Sequence, residues 1–225
     1  MEQDGEAYSV NITSQCRKRT NLTAMQIEHL KRIEISLPFV ADLAHAYLYL
    51  YVQTKEPGKM LVLKHYRPHT FFSEVELTGE GAFVSTLEER LIAAAFAKGK
   101  FSQGQREWRF GINLEMYVQP IKCGNDVIGV VSLETGHSYA NSSNYHQLMD
   151  TALYLLDYAK KPLDKDEFHP MSPGTGIIIA DSNNRIVFAN LSANRIYRAL
   201  GIASLVGCRM QDRELSAMLH KETID

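Results

Sequence analysis

The sequence predicts an α+β fold in which an antiparallel sheet carries helices on both faces. The first observation is a hairpin at residues 114–136, where two apolar segments flank the turn Cys123-Gly124-Asn125-Asp126. Gly, Asn and Asp are the residues that tight hairpin turns require. The second is that apolar side chains occupy both alternating sets of positions in its second strand, so both faces need a cover. The third is a set of amphipathic helical segments before and after the hairpin, which can provide those two layers.

The chain begins with a polar, aperiodic stretch, residues 1–21, for which we expect a loose arm. A helix follows, because Thr23 and Gln26 form a capping-box pattern and apolar residues recur every three or four positions as far as Ala44. Pro38 interrupts this stripe and predicts a break in the helix. The stripe can pack on the sheet or form the seam of a dimer, and the sequence leaves both open.

Two strands precede the central hairpin. Residues 45–52 alternate strictly, which places Tyr47, Tyr49 and Tyr51 on one face of the predicted strand. A turn at residues 56–59 leads to a second strand at 60–66, so we expect an antiparallel meander.

The remaining elements of the first domain are two helices and a connection. Ser85 and Gly99 are placed to start and stop a helix at 87–98. Residues 99–113 are rich in Gly, Gln and Arg and predict a loop over one end of the sheet. A second long amphipathic helix is predicted at 143–160.

A second domain is predicted after a linker. Residues 161–173 are rich in Pro and charge, as linkers are. Strands at 175–180 and 186–190 flank an Asp- and Asn-rich turn, and a short helix ends near Gly201. The segment from residue 174 to 225, about 50 residues, is too short to complete a stable domain of its own.

Composition argues against several classes of protein. The net charge of −2 gives no electrostatic reason to expect nucleic acid as a partner. No apolar run approaches the ~20 residues of a membrane span, and the N-terminus lacks a signal-peptide core. Three scattered cysteines, Cys16, Cys123 and Cys208, form neither a disulfide framework nor a paired ligand motif. We therefore expect a cytoplasmic location.

Catalytic and metal motifs are not evident in the sequence. It contains no G-x-S-x-G, H-E-x-x-H or phosphate-binding G-K-[ST] motif, so we predict no catalytic residue. The histidines are scattered, and Pro68 prevents His65 and His69 from forming a helical metal-binding pair, so we predict no metal site. Cys123 in its turn is more readily explained as an inert thiol than as a redox centre.

A small-molecule pocket is the strongest functional hypothesis from the residues. The three tyrosines present rings with hydroxyl groups on one face, and arginines near the strand ends can orient an anion or a small polar ligand. The same tyrosine row can equally be packing against helices. The candidate ligand-binding residues are Tyr47, Tyr49, Tyr51, His65, Arg67, Arg106, Trp108, Arg109 and Tyr117.

Three segments resemble a known domain arrangement. The hairpin QPIKCGNDVIGVVSLE resembles the strand–turn–strand signature of GAF domains, and GIIIADSNNRIVFANLSANRIYRALG resembles the opening of a PAS domain. The start LTAMQIEHLKRIEISLPFVADLAHAYLYLYV, with LKHYRPHT downstream, is similar to the N-terminal sensory region of soluble two-component sensor histidine kinases of the PdtaS/EutW-like group. The resemblance spans residues 22–210. It implies an arm at 1–21, a GAF-like antiparallel sheet domain at 22–160, a linker at 161–173 and an incomplete PAS-like α+β domain at 174–225.

The resemblance also implies a function. A GAF-like domain holds a small ligand between one sheet face and a helix-and-loop layer, and homodimers transmit occupancy through helices to a C-terminal kinase. That kinase uses ATP and Mg to phosphorylate itself on His and passes the phosphate to a response regulator, for which an ANTAR RNA-binding type is one candidate. The phosphoacceptor helix and ATP-binding motifs are not evident in this sequence, so we expect a sensor fragment without catalysis or a cofactor of its own.

The sequence is also compatible with two other functions. One is a GAF–PAS regulatory or dimerisation module of a signalling protein that is not a kinase. The other is a GAF-fold redox enzyme, although the three cysteines are not clustered in the sequence.

Overall fold

The computed structural model describes residues 11–68, 78–109, 111–136, 145–159 and 176–210. The chain divides into two compact units, Met1–Glu167 and Phe168–Asp225. The predicted linker at 161–173 lies outside the described residues.

Unit 1 contains five helices and six strands in its described part. They are, in chain order, α1 (Ile12–Arg19), α2 (Ala24–Glu34), α3 (Leu37–Ala44), β1 (Tyr47–Gln53), β2 (Lys59–Tyr66), β3 (Phe83–Ser85), α4 (Arg90–Lys98), β4 (Ser102–Arg109), β5 (Ile112–Cys123), β6 (Asp126–Gly136) and α5 (Tyr145–Ala159).

The six strands form one antiparallel sheet in the order β3-β2-β1-β6-β5-β4. Helices α2, α3 and α5 pack together on one face, where α2 contacts β6 and α3 contacts β1 and β2. Helix α4 packs on β4, β5 and β6 from the other face. The predicted antiparallel sheet with helices on both faces is thus confirmed.

The central hairpin is β5–β6, which pairs from Leu114↔Gly136 to Cys123↔Asp126 with one register shift near the turn. Gly124 in the turn has φ 63°, a conformation that favours glycine. Gly129 lets α2 approach β6, because a Cβ there would lie 3.1 Å from the Leu30 side chain and 3.3 Å from the Tyr51 carbonyl. The hairpin therefore organises both the strand pairing and the helix packing.

The broken first helix is also confirmed. Thr23 and Gln26 make both hydrogen bonds of a capping box at the start of α2. Helix α2 ends at Glu34, and α3 begins at Leu37 with Pro38 in its first turn, where the missing amide hydrogen costs nothing. Helix α4 begins at Arg90 instead of 87.

Two predictions in unit 1 were wrong. Residues 12–19, predicted as part of a loose arm, form α1, which buries Ile12 and Cys16 one turn apart and is capped by Asn11. Residues 102–109, predicted as a loop, form β4 at the edge of the sheet, paired along β5. Residues 1–10 of the predicted arm lie outside the described residues.

Unit 2 contains β7 (Ile178–Ala180), β8 (Ile186–Ala189) and α6 (Leu191–Ala199) in its described part. Strands β7 and β8 pair as the predicted hairpin, and the Asp181 carboxylate accepts backbone N–H bonds of 2.9 Å within its turn. Asn190 accepts hydrogen bonds from the N–H of Ala193, at the start of α6, and of Ile177. The PAS-like identity of this unit stays a prediction.

Within the described residues, the structure contains no helix that is both long and apolar enough to cross a bilayer.

Candidate functional site

The tyrosine row lies on the sheet face that α4 covers. Cross-strand partners share a face, and Tyr47 stands opposite Glu134 while Tyr49 stands opposite Ser132. Ile92 and Phe96 of α4 pack against this face in one apolar cluster with the tyrosines. We call this surface the tyrosine face; its residues are Tyr47, Tyr49, Tyr51, Met60, Val62, His65, Arg106, Met116, Val118, Val130, Ser132 and Glu134.

Arg106 holds two carboxylates together on the tyrosine face. Its guanidinium lies 2.7 Å from Glu89 Oε1 and 3.2 Å from Glu134 Oε1. Ser132 Oγ donates a further 3.1 Å hydrogen bond to Glu134 Oε1. Glu134 is only 2% exposed, and Glu89 is also buried. The three charged groups, which we call the Arg106 cluster, therefore join β4, β6 and the start of α4.

The cluster perturbs the acidity of its members. Burial raises the pKa of Glu134, and Arg106 opposes that rise while Glu89 adds to it. Burial also raises the pKa of Glu89, again against the effect of Arg106. Burial alone would lower the pKa of Arg106, but the two carboxylates outweigh it and the pKa rises. Arg106 is therefore charged at every physiological pH and already surrounded by negative charge.

Two tyrosines lie beside this cluster, and a histidine lies next to one of them. The rings of Tyr49 and Tyr51 are 6.0 Å apart, and those of Tyr49 and His65 are 6.3 Å apart. Burial raises the pKa of Tyr49 to about 12 and that of Tyr51 further. Burial lowers the pKa of His65, so at neutral pH its ring is uncharged.

The other predicted site residues are not brought into this group. Tyr117 pairs with Leu133, so it lies on the opposite face, among the residues facing α2, α3 and α5. Arg67 is exposed at the end of β2. Trp108 and Arg109 lie in β4, and their side chains fall outside the described part of the structure.

Sequence reasoning missed both carboxylate partners of Arg106. Glu134 lies in an apolar strand that the sequence predicts to be covered on both faces, and a charged residue in such a strand needs a buried partner. That signal was present in the sequence. Glu89 gave none, because it precedes α4 among other charged residues and meets Arg106 only through the packing of α4 on β4.

The histidines, cysteines and carboxylates of the described residues bear on metal and thiol chemistry. No group of three or more His, Cys, Asp or Glu side chains there is placed to hold a metal ion. The three cysteines are free. Burial raises the pKa of the Cys16 thiol to about 11, which disfavours the reactive thiolate.

Comparison with known proteins agrees with this architecture. The family model "Histidine kinase PdtaS, GAF domain" matches residues 12–152, more than half of the chain. A solved sensor region of a sensor histidine kinase is similar with a TM-score of 0.56 and 19% identity, covering 94% of this chain and 80% of that one. The second GAF domain of DevS from Mycobacterium smegmatis has a TM-score of 0.44 and 13% identity, covering 59% and 90%. No curated protein matches the chain. Unit 1 and the family match together show that the chain belongs to the GAF sensory domain family of the histidine kinase PdtaS.

Proposed function

We propose that unit 1 binds a small polar ligand on the tyrosine face and that a homodimer of the chain transmits this binding to a histidine kinase core of the full-length protein. The observation that carries the proposal is the Arg106 cluster. Burying three charged groups is costly, and apolar residues of similar volume often serve stability equally well or better. Perturbed carboxylates grouped beside aromatic side chains are typical of binding sites.

The cluster bears on the chemistry of the ligand. Arg106 is already paired with two carboxylates, so the cluster has no excess positive charge with which to attract an anion. A polar molecule with hydrogen-bond donors can instead bond to the carboxylate oxygens while it packs against the rings of Tyr49 and Tyr51. The proposed ligand is therefore a small donor-bearing molecule.

The opposite, helical face supports the dimer. Among the described side chains of α2, α3 and α5 and their connections, large apolar ones are exposed at Met25 in α2, Ile35 at the α2–α3 break and Tyr154 in α5. Exposed apolar side chains on amphipathic helices are suited to pack against a second copy. Signal output would then follow the family: the kinase core, with ATP and Mg, phosphorylates a response regulator, for which the ANTAR RNA-binding type is one candidate.

A thermal-shift screen tests ligand binding. Trp108 is the only tryptophan of the sequence and lies in unit 1, so its fluorescence follows the melting of that unit. Small amines, polyols and amides are added to the wild-type chain, and at least one compound should raise the Tm. The shift should be lost in Glu134→Gln and kept in Glu28→Gln, which changes an exposed carboxylate on α2. A compound that raises the Tm of both variants equally would show that the ligand binds elsewhere. A screen in which no compound raises the Tm of the wild-type chain would count against a sensory function.

Native mass spectrometry tests the dimer. The wild-type chain should be mainly dimeric at micromolar concentration, and Tyr154→Glu should shift it towards the monomer, since a charge in an apolar interface is costly. A wild-type chain that stays monomeric at high micromolar concentration would contradict the dimeric part of the proposal.

A further inference from the structure

A group of cations surrounds an exposed aromatic ring at the β3 edge of the sheet. Phe83 is 46% exposed and lies in β3, the outermost strand on that side. The guanidinium carbon of Arg19 lies 4.7 Å from the centre of the Phe83 ring, and Lys59 Nζ lies 5.9 Å from it. Both distances are within the range of cation–π contacts. We call this surface the basic edge; its residues are Arg17, Lys18, Arg19, Lys55, Lys59 and Phe83.

Hydrogen bonds hold the end of α1 at this edge. The Lys55 N–H donates to the Arg19 carbonyl at 2.9 Å, and the Lys55 ammonium donates to the Lys18 carbonyl at 3.2 Å. The Arg19 side chain donates to the Gly81 carbonyl at 3.3 Å. Lys59 belongs to β2, the strand that pairs with β3. The cations therefore come from α1, from the β1–β2 turn and from β2, and the fold fixes them around one ring.

Most of the positive charge on the basic edge is not neutralised. Lys59 Nζ lies 2.7 Å from Glu56 Oε2, whereas no carboxylate in the described part of the chain forms an ion pair with the other four cations. Glu80, in the segment just before β3, is paired instead with the buried Lys64. An excess of four positive charges therefore lies at one edge of a chain whose net charge is −2.

Helix capping explains only part of this surface. Basic side chains in the last turn of a helix interact favourably with its dipole, which accounts for the three cations of α1 and for Lys55 at their carbonyls. It accounts neither for Lys59 nor for the exposed ring of Phe83. An aromatic side chain among arginines and lysines is typical of surfaces that bind other proteins.

We propose that the basic edge is a docking surface for an acidic segment of a partner protein, in which carboxylates flank an apolar side chain. The carboxylates pair with the cations, and the apolar side chain packs on the Phe83 ring. A nucleic acid fits less well, because its phosphates continue past the basic edge and meet the net negative charge of the chain. A membrane fits less well, because membrane-bound surfaces bury several large apolar side chains and the basic edge contains one. The inference uses no residue of the tyrosine face and is independent of the proposed ligand.

Fluorescence anisotropy with the whole chain tests the charged half of the proposal. The probe is a fluorescein-labelled peptide with one phenylalanine between two runs of glutamate. The wild-type chain should bind it with a Kd below about 1 mM at low salt, and added salt should weaken binding. Arg17→Gln/Lys18→Gln, at two exposed side chains, should raise the Kd by roughly threefold or more. The matched control is Lys98→Gln/Lys100→Gln, which removes two exposed lysines at the end of α4, on the opposite face of the sheet, and should change the Kd by less than about twofold.

The contact with Phe83 is tested from both sides. Phe83→Ser should raise the Kd by roughly threefold or more, and so should a probe in which glycine replaces the phenylalanine. The altered probe needs no change in the protein, so a folding defect of Phe83→Ser does not obscure the result. With that probe, Phe83→Ser should have no further effect.

Four results would overturn the proposal. They are a wild-type chain that does not bind the peptide at about 1 mM, equal losses of affinity in the two double variants, an unchanged Kd for the glycine probe, and tighter binding of an oligouridine of equal charge or of phosphatidylserine vesicles than of the peptide. The last result would assign the basic edge to a nucleic acid or to a membrane surface instead.

Discussion

The Arg106 cluster gives the most demanding prediction, made for Arg106→Gln. The substitution leaves Glu134 and Glu89 buried without their cation, and breaking a buried ion pair by removing one partner costs about 3–5 kcal/mol. The Arg106 side chain is 30% exposed, so we expect the lower end, about 3 kcal/mol at pH 7. At about 2–4 °C per kcal/mol, the Tm of unit 1 should fall by roughly 6–12 °C.

The loss of stability in Arg106→Gln should depend on pH, because Glu134 can take up a proton when the guanidinium of Arg106 is removed. Burial holds the pKa of Glu134 above its ordinary value in the folded chain. Between the pKa of Glu134 in the unfolded chain and its higher pKa in the folded chain, the folded state therefore binds more protons. The contribution of Glu134 to the free energy of unfolding falls as the pH rises through this range. Without Arg106 the folded pKa rises further, so the penalty of Arg106→Gln should be small near pH 5 and largest near pH 8.

Urea unfolding followed by Trp108 fluorescence at pH 5 and pH 8 measures this penalty. Arg32→Gln, at an exposed arginine of α2, is the control and should change stability by less than about 0.5 kcal/mol. Adding Glu134→Gln to Arg106→Gln should recover much of the loss, since a neutral amide replaces the unpaired charge. Equal stability of Arg106→Gln and wild type at pH 8, or a loss independent of pH, would refute this account of the cluster.

Three further predictions concern packing and capping, each measured by urea unfolding. Leu30→Ala should lower the free energy of unfolding by about 2–5 kcal/mol, because this side chain of α2 is fully buried. Met25→Ala on the same helix is the control and should lower it by less than about 0.5 kcal/mol, because Met25 is 68% exposed. Similar losses for both variants would contradict the packing. Gly129→Ala should cost about 1–3 kcal/mol, because the added Cβ meets α2 and a backbone carbonyl of β1, whereas Gly79→Ala, with open space around it, should be nearly neutral. Asn190→Ala should destabilise unit 2 by about 1–2 kcal/mol, because it removes the helix cap; far-UV circular dichroism follows this unfolding. The unfolding transition reported by Trp108 fluorescence should stay unchanged. A shift of that transition would show that the two units unfold together.

The sheet and its helical layers were predictable because their signals are local. The turn at Gly124, the alternation of residues 45–52 and the capping box at Thr23 each specify a structure within a few residues of themselves. Tertiary packing then agreed with those local preferences.

Strand β4 and helix α1 were missed because their sequences carry few apolar residues. An edge strand with a solvated face needs only polar side chains and a partner to pair with, and β4 finds its partner in β5. Helix α1 has just Ile12 and Cys16 to bury. Each of these elements is stabilised by contact with another segment of the chain, and composition does not predict which segment that is.

The candidate site was predictable only in part for the same reason. The shared face of Tyr47, Tyr49 and Tyr51 follows from strand alternation, and the structure places them together. The partners of Arg106 depend on how β4, β6 and α4 meet, and Tyr117 falls on the other face because of the register of β5 against β6. Strand register is set by long-range pairing, which a single sequence does not reveal.

The neighbouring positions of β1 and β6 also have a consequence for biosynthesis. Tyr47 faces Glu134 across the middle of the sheet, so the ribosome releases β1, β2 and β3 well before the strand that completes them. Until β6 emerges from the ribosome, β1 is an unpaired, strongly apolar edge strand that can pair with a neighbouring nascent chain. Unit 1 should therefore fold late and slowly for its size, and chaperone binding during translation should concentrate on this half-built sheet.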